Sequence, residues 1–172
     1  MPNLAEQIRE ALTMFALAGT KPGLIGGLAV VAHQVVRATQ DVDFLLEAEA
    51  ADKVHEALLK LGYQCLYRSE DAANYMRSTE GLNLLYAHRP LARRLLSQAV
   101  ERDTPMGCLR VVSVEGLIAF KLQAYVNDAT RMRDLDDMKA LVQTHRATLD
   151  MVQLHEYFAL FNRKRPVESP MN

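Results

Sequence analysis

The sequence predicts an α+β (mixed α/β) fold: a small mixed sheet flanked by helices, followed by a helical C-terminal part. Short β-rich runs alternate with amphipathic segments through the first part of the chain. After about residue 113 only helical patterns remain. A length of 172 residues with 49% hydrophobic and 24% charged residues suits one domain with a helical extension. We therefore expect a core at 1–112 including an N-terminal helix, a helical part at 113–162 packed on it, and a polar tail at 163–172.

The first elements follow from apolar spacing and turn residues. Four apolar residues recur at helical spacing and predict a first helix that ends near Gly19: Leu4, Ile8, Leu12 and Phe15. Residues 24–25 precede a glycine pair and fit a short strand. The nearly all-apolar run 28–36 predicts a buried helix, and the β-rich run 41–46 predicts the next strand.

The remaining elements are predicted in the same way. The segment 47–61 is a helix that ends at Gly62, because glycine commonly terminates helices. Residues 63–67 and 74–77 form an antiparallel pair of strands, since a short polar link joins them. The later segments are a strand at 81–87, a helix at 90–100 entered through proline, a strand at 109–112, and helices at 114–125, 132–143 and 149–161.

Several classes of protein are disfavoured by the sequence. The formal net charge of −1 gives no overall basic field for nucleic acid. The N-terminal residues lack the pattern of a signal peptide, and no apolar run approaches the roughly 20 residues that span a bilayer. We expect a cytoplasmic protein without a membrane partner. Walker, G-x-G-x-x-G, G-x-S-x-G and H-E-x-x-H motifs do not occur.

Two aspartates two residues apart, Asp41 and Asp43, are the main chemical signal. Side chains alternate along a strand, so both carboxylates lie on one face while Val42 and Phe44 lie on the other. Adjacent carboxylates repel unless a cation lies between them, and Mg²⁺ is commonly held by one or two carboxylates and substrate phosphates. The glycine pair 26–27 lets backbone N–H groups approach a phosphate. The pattern favours a phosphate-and-metal site; the alternative is a β-to-α turn followed by a strand with an acidic exposed end.

Three blocks of sequence resemble one known family. Ile25-Gly26-Gly27, a helix, and then the run 41–46 resemble the signature hG[GS]…Dh[DE]h of the polymerase-β-like nucleotidyltransferase superfamily. Arg37-x-Thr39-x-Asp41-x-Asp43 resembles the minimal AbiEii/AbiGii toxin-like branch of that superfamily. That branch carries a helix lysine and then an R-x-[KR]-D-x-x-D run, which Lys121 and the run 131–137 match in order.

The resemblance implies roles for particular residues. The implied catalytic residues are Asp41, Asp43, Lys121 and Asp134. The implied metal ligands are Asp41 and Asp43, which would hold one or two Mg²⁺ (or Mn²⁺) ions on the triphosphate. The implied nucleotide-binding residues are Gly26, Gly27, Thr39 and Lys121. The implied accessory residues are Asn83, Asp137 and Arg37.

The implied function is a Mg²⁺-dependent transfer of a nucleoside monophosphate from an NTP to an acceptor hydroxyl of tRNA, a protein or a small molecule. The chain would then be an enzyme, and its toxin-like branch suggests a toxin–antitoxin or abortive-infection system with a cognate antitoxin or toxin. One alternative is a catalytically degenerate nucleotidyltransferase-fold protein that binds nucleotides or a protein partner. Another is a protein-modifying transferase that acts as the antitoxin.

One position departs from the family pattern. Nucleotidyltransferases of this fold commonly carry a third carboxylate on a later strand, and the matching strand here offers Asn83. An amide can give an oxygen to a metal but cannot act as a base. Asp134 or Asp137 supplies the missing carboxylate, or no base is needed, or the site is inactive. Taken alone, Lys121 would be a snorkelling lysine and the two helix aspartates a solvated cap.

Overall fold

The computed structural model describes residues 3–162, so the predicted polar tail at 163–172 lies outside the described residues. Within that range the chain has a mixed α/β fold, with seven strands in one mixed sheet and seven α-helices. The predicted fold class is therefore confirmed. The chain divides into two compact units, and the division falls between Ser113 and Val114.

The first unit contains the mixed sheet. Its seven strands are β1 (Gly23–Ile25), β2 (Val42–Glu47), β3 (Gln64–Arg68), β4 (Ala72–Arg77), β5 (Glu80–Ala87), β6 (Val100–Thr104) and β7 (Gly107–Val111). The strand order is β3-β4-β5-β2-β1-β7-β6. The pairs β2–β5 and β1–β7 are parallel, and the other neighbours are antiparallel. The predicted antiparallel pairing of the third and fourth strands is present.

Four helices and one 3₁₀ turn belong to the same unit. They are α1 (Leu4–Leu17), α2 (Gly26–Ala32), the 3₁₀ turn Ala48–Ala50, α3 (Ala51–Lys60) and α4 (Pro90–Ser97). Asn3 caps α1, because its side-chain oxygen accepts the backbone N–H of Glu6 at 3.2 Å. The apolar stripe of α1 packs on the sheet, where the rings of Phe15 and Phe44 meet edge to face with centroids 5.0 Å apart.

Strand β2 has two faces with different neighbours. Phe44 is buried and contacts α1, whereas Asp43 lies on the opposite face and is half-buried. This alternation is the ordinary geometry of a strand. The apolar face of β2 thus anchors the strand in the core, and the other face carries the polar residues of the candidate site.

The predicted helix 28–36 is wrong at its C-terminal end. Helix α2 begins earlier, at Gly26, and ends at Ala32, after which Gln34 adopts a left-handed backbone with φ +69°. Such a residue terminates a helix. Val36 is fully exposed, although the sequence predicts a buried helix that includes it. The apolar run therefore continues past the point where the backbone leaves the helix.

Strand β6 is absent from the sequence-based prediction, which extended a helix to residue 100. Helix α4 instead ends at Ser97, and the segment from Val100 to Thr104 forms an antiparallel hairpin with β7. Four of its five residues are exposed. A charged edge strand whose two faces are both exposed to solvent lacks the alternation of apolar and polar residues by which a strand is predicted from sequence. The first residues of the predicted helix 47–61 instead form the 3₁₀ turn Ala48–Ala50, and α3 begins at Ala51.

The second unit is helical over its described residues. It consists of α5 (Val114–Asn127), α6 (Met132–His145) and α7 (Met151–Asn162). Helix α5 packs against both α6 and α7, and Leu141, Leu154 and Tyr157 are buried. A membrane span would need a longer and more apolar helix than any found in residues 3–162.

Candidate active site

A row of three polar side chains crosses the middle of the sheet. Asp43 on β2 stands opposite Asn83 on β5, and Asn83 stands opposite Asn74 on β4. The Nδ2 of Asn83 donates to Oδ1 of Asp43 at 2.8 Å, and Nδ2 of Asn74 donates to Oδ1 of Asn83, also at 2.8 Å. The strand register therefore brings the predicted metal ligand Asp43 and the predicted accessory residue Asn83 into direct contact.

The hydrogen bonds decide which way the amide of Asn83 faces. An ionised carboxylate only accepts, so the contact with Asp43 requires the NH₂ end of Asn83. The oxygen of Asn83 then points toward β4 and accepts from Asn74. In the sequence this residue was a possible oxygen ligand, whereas in the structure it presents a hydrogen-bond donor to Asp43.

Gly26 makes room for the carboxylate of Asp43. Its φ of +68° lies in the left-handed region that favours glycine. A Cβ placed there would lie 2.1 Å from Oδ2 of Asp43 and 2.8 Å from its Cγ. The first glycine of the motif therefore lies against the second aspartate just after the end of β1, and a larger residue at position 26 would displace the carboxylate.

Gly27 makes room for two other residues of the motif. A Cβ at this position would lie 1.7 Å from Nη1 of Arg37 and 2.8 Å from Oγ1 of Thr39. The Thr39 hydroxyl in turn donates to the backbone oxygen of Asp41 over a long 3.4 Å. The predicted nucleotide-binding residues Gly27 and Thr39 and the accessory residue Arg37 thus form one cluster at the start of α2.

Asp41 lies just before β2 and packs against β5. A Cβ added to Gly81 would lie 2.2 Å from Oδ1 of Asp41. Gly81 and Asn83 are two residues apart on β5, and Asp41 and Asp43 are likewise two residues apart at the start of β2, so each aspartate meets one of them. Sequence reasoning overlooked both Gly81 and Asn74, although a G-x-N pattern in a strand predicted to lie near D-x-D could have suggested the first.

The two aspartates form a small donor set for a divalent cation. Among residues 3–162 there is no group of three or more His, Cys, Asp or Glu side chains placed to hold a metal ion. Asp41 and Asp43 therefore offer two carboxylates without a third. Mg²⁺ fits this set, since it commonly takes one or two carboxylates and completes its shell with water and substrate phosphates. A structural zinc site would need four ligands of a different kind.

The second unit contains a buried cluster of charges. The Lys121 ammonium lies 2.9 Å from Oδ1 of Asp134 and 2.9 Å from Oδ2 of Asp137. Nε of Arg131 lies 2.6 Å from the other oxygen of Asp134. The three side chains of Lys121, Asp134 and Asp137 are 10%, 9% and 7% exposed, respectively. Burial raises the pKa of Asp134, but hydrogen bonds and charge from Lys121 and Arg131 outweigh it, and that pKa is lowered from its usual value.

This cluster corrects two interpretations of the sequence taken residue by residue. Lys121 does not snorkel to solvent, and Asp134 and Asp137 are not a solvated cap, because all three are buried and paired. The two aspartates lie one helical turn apart on α6 and meet one lysine of α5. A contact between Lys121 and a phosphate, and a catalytic role for Asp134, remain predictions.

The described fold is similar to that of several solved structures, among them an adenylyltransferase. The solution structure of the antibiotic-resistance factor ANT(2'')-Ia is similar at a TM-score of 0.67 and 15% identity, over 94% of this chain and 92% of that one. ANT(2'')-Ia in complex with adenylyl-2''-tobramycin gives a TM-score of 0.67 at 14% identity, over 94% and 99%. The lincosamide antibiotic adenylyltransferase LnuA, bound to lincomycin, gives a TM-score of 0.58 at 17% identity, over 79% of this chain and 94% of that one. At such identities the likeness establishes the fold.

Sequence comparisons add no closer relation. The chain matches no protein-family model and no curated protein.

Proposed function

We propose that the chain is a Mg²⁺-dependent nucleotidyltransferase that moves a nucleoside monophosphate from an NTP to an acceptor hydroxyl. The observation that carries this proposal is the pair Asp41 and Asp43, each packed against a glycine on the polar face of a nucleotidyltransferase sheet. A half-buried aspartate within β2, such as Asp43, is a poor choice for sheet stability, since aspartate is depleted in strands. A function that needs both carboxylates explains why they are there.

Asp41 and Asp43 would hold the metal. When bound, Mg²⁺ or Mn²⁺ would neutralise charge on the phosphates and orient the α-phosphorus for in-line attack. Gly26 admits the carboxylate of Asp43, and Asn83 fixes one of its oxygens by a hydrogen bond. These contacts hold the Asp43 side chain in place before any substrate arrives, which reduces the reorganisation needed for catalysis.

The cluster at the start of α2 is the proposed phosphate site. Gly27 allows the guanidinium of Arg37 to lie against the backbone, close to the hydroxyl of Thr39. A guanidinium offers five donors in a planar fork that suits phosphate oxygens. Arg37 and Thr39 would therefore contact the triphosphate of the NTP.

The acceptor is proposed to be tRNA, a protein or a small molecule. Resemblance of the R-x-T-x-D-x-D run to the AbiEii/AbiGii toxin-like branch favours a toxin that modifies tRNA or protein and has a cognate antitoxin. The similar fold of ANT(2'')-Ia and LnuA, which carry adenylyl-tobramycin and lincomycin in their structures, adds antibiotics as acceptors to be tested.

A second candidate function is binding without catalysis. It is favoured by one observation: Asn83 occupies the strand position of the expected third carboxylate and acts as a donor to Asp43. An amide cannot accept the proton of an acceptor hydroxyl. In that case the chain would bind NTP, or a protein partner, and transfer nothing.

The test is transfer from each of the four α-labelled NTPs in the presence of Mg²⁺, with total tRNA, cell lysate, an aminoglycoside and a lincosamide as acceptors. Asp41→Asn and Asp43→Asn should each lower transfer about 100-fold or more, because a charged metal ligand is lost. Asp136→Asn is the matched control, since Asp136 is exposed on α6. Metal-dependent NTP binding without transfer to any acceptor would instead support the second candidate. Absence of both would contradict the two proposals.

A further inference from the structure

The orientation of the Asn83 amide is set by Asp43 and stabilised by a residue outside the predicted site. An asparagine side chain has nearly the same shape when it is turned by half a rotation, so its NH₂ and its oxygen can exchange places. In this structure the NH₂ of Asn74 faces the oxygen of Asn83 at 2.8 Å. If Asn83 were turned, two NH₂ groups would face each other on one side, and two oxygens would face each other at Asp43. The carboxylate of Asp43 therefore sets the orientation in which Asn83 donates to it, and Asn74 stabilises that orientation by donating to the oxygen of Asn83.

We propose that Asn74 is a positioning residue, which acts through Asn83 to hold the carboxylate of Asp43 in the orientation that binds the metal–nucleotide complex. This inference rests on the proposed function, because it assigns the metal to Asp43. Asn74 would contact neither substrate nor metal. It completes a chain of two hydrogen bonds from β4 through β5 to β2.

The strand register supports the inference independently of the hydrogen bonds. Asn74 pairs with Asn83 across β4 and β5, and Asn83 pairs with Asp43 across β5 and β2. Asparagine is depleted in strands, because it offers little apolar surface and competes for backbone hydrogen bonds. Two half-buried asparagines in one row, ending at an aspartate, are costly to a sheet unless their amides serve that aspartate.

The test is a double-mutant cycle on the Mn²⁺ affinity of the nucleotide-free chain, with Asn74→Ala, Asn83→Ala and both together. Asn74→Ala should weaken Mn²⁺ binding about fivefold, the loss of one neutral hydrogen bond, and Asn83→Ala should weaken it about tenfold or more, because it removes a donor to an ionised carboxylate. The double variant should be no weaker than Asn83→Ala, since Asn74 acts only through Asn83. Met76→Ala is the matched control on β4 and should change the affinity less than twofold, because a thioether donates no hydrogen bond and Met76 pairs with Gly81 and not with Asn83.

Two results would overturn the inference. One is an unchanged Mn²⁺ affinity in Asn74→Ala while Asn83→Ala weakens binding. The other is a double variant whose effect is the product of the two single effects, which would mean that Asn74 acts by another route.

A second measurement separates failure of this inference from failure of the proposed function. If the wild-type chain binds no Mn²⁺, the proposed metal site is wrong. The side-chain NH₂ resonances of Asn83 then show whether Asn74 stabilises its orientation. They should shift in Asn74→Ala and not in Met76→Ala. Identical Asn83 resonances in wild type and Asn74→Ala would refute the role of Asn74 whatever the metal does.

Discussion

The buried charge cluster of the second unit gives a sharp prediction for Lys121→Met. This change keeps the length and apolar stem of the side chain but removes the cation that lies 2.9 Å from both Asp134 and Asp137. Removing one partner of a buried ion pair typically costs 3–5 kcal/mol, because a charge is left buried without compensation. Arg131 still contacts Asp134, and its side chain is 56% exposed. We therefore expect a loss near the lower end, about 3 kcal/mol of unfolding free energy.

The pH dependence of this loss follows from the pKa of Asp134. In the wild type that pKa is lowered, so the paired carboxylate stabilises the fold above its ordinary pKa of 3.8. This stabilisation disappears as the pH falls through the lowered value. Without Lys121, burial acts on Asp134 with one counter-charge fewer, and protonation costs the variant less. The stability difference between wild type and variant should therefore shrink below about pH 4.

Hydrogen exchange of peptides from α5 and α6, together with urea denaturation, measures the effect on this unit. Lys139→Met is the matched control, since Lys139 is exposed on α6, and it should change stability by less than about 0.5 kcal/mol. The triple variant Lys121→Met, Asp134→Leu, Asp137→Leu should recover most of the lost stability, because it also removes the two carboxylates that Lys121→Met leaves without their lysine. A loss below about 1 kcal/mol that does not vary with pH would refute the structural role of the cluster.

Two further predictions concern the sheet. Gly26→Ala should lower nucleotide transfer and destabilise the fold by more than the roughly 1–2 kcal/mol of a left-handed alanine, because its Cβ would lie 2.1 Å from the Asp43 carboxylate. Gly19→Ala has a φ of +75° and meets nothing within 4 Å in the described structure, so equal losses of stability and transfer in the two variants would exclude the steric argument. Asn83→Asp should tighten Mn²⁺ binding at least tenfold by adding a carboxylate beside Asp43; unchanged binding would show that Asn83 lies outside the metal site.

The order of helices and strands could be predicted because it depends on local patterns. Apolar periodicity located α1 and the helices of the second unit, and the turn residues around Gly62 separated α3 from β3. The predicted elements are wrong where the local sequence pattern does not match the observed backbone. Helix α2 ends at Ala32 despite the apolar residues that follow, and β6 is a charged edge strand without an apolar face.

The candidate site was predicted in part. The D-x-D and glycine motifs identified residues that the structure brings into contact, such as Gly26 with Asp43 and Gly27 with Arg37. Their proposed roles in nucleotide transfer remain predictions. Asn74 could not be predicted as part of the site, because its partner Asn83 is nine residues away on the neighbouring strand and only strand pairing makes the two adjacent.

The sequence by itself determined the fold class and the chemical character of the site, because hydrophobic period, glycine and paired aspartates are properties of short segments. Tertiary structure alone decided the strand order, the direction in which the Asn83 amide faces, and the burial of Lys121 between two carboxylates. These depend on register and on packing between segments distant in sequence, where a shift of one residue would move every side chain of a strand to the other face.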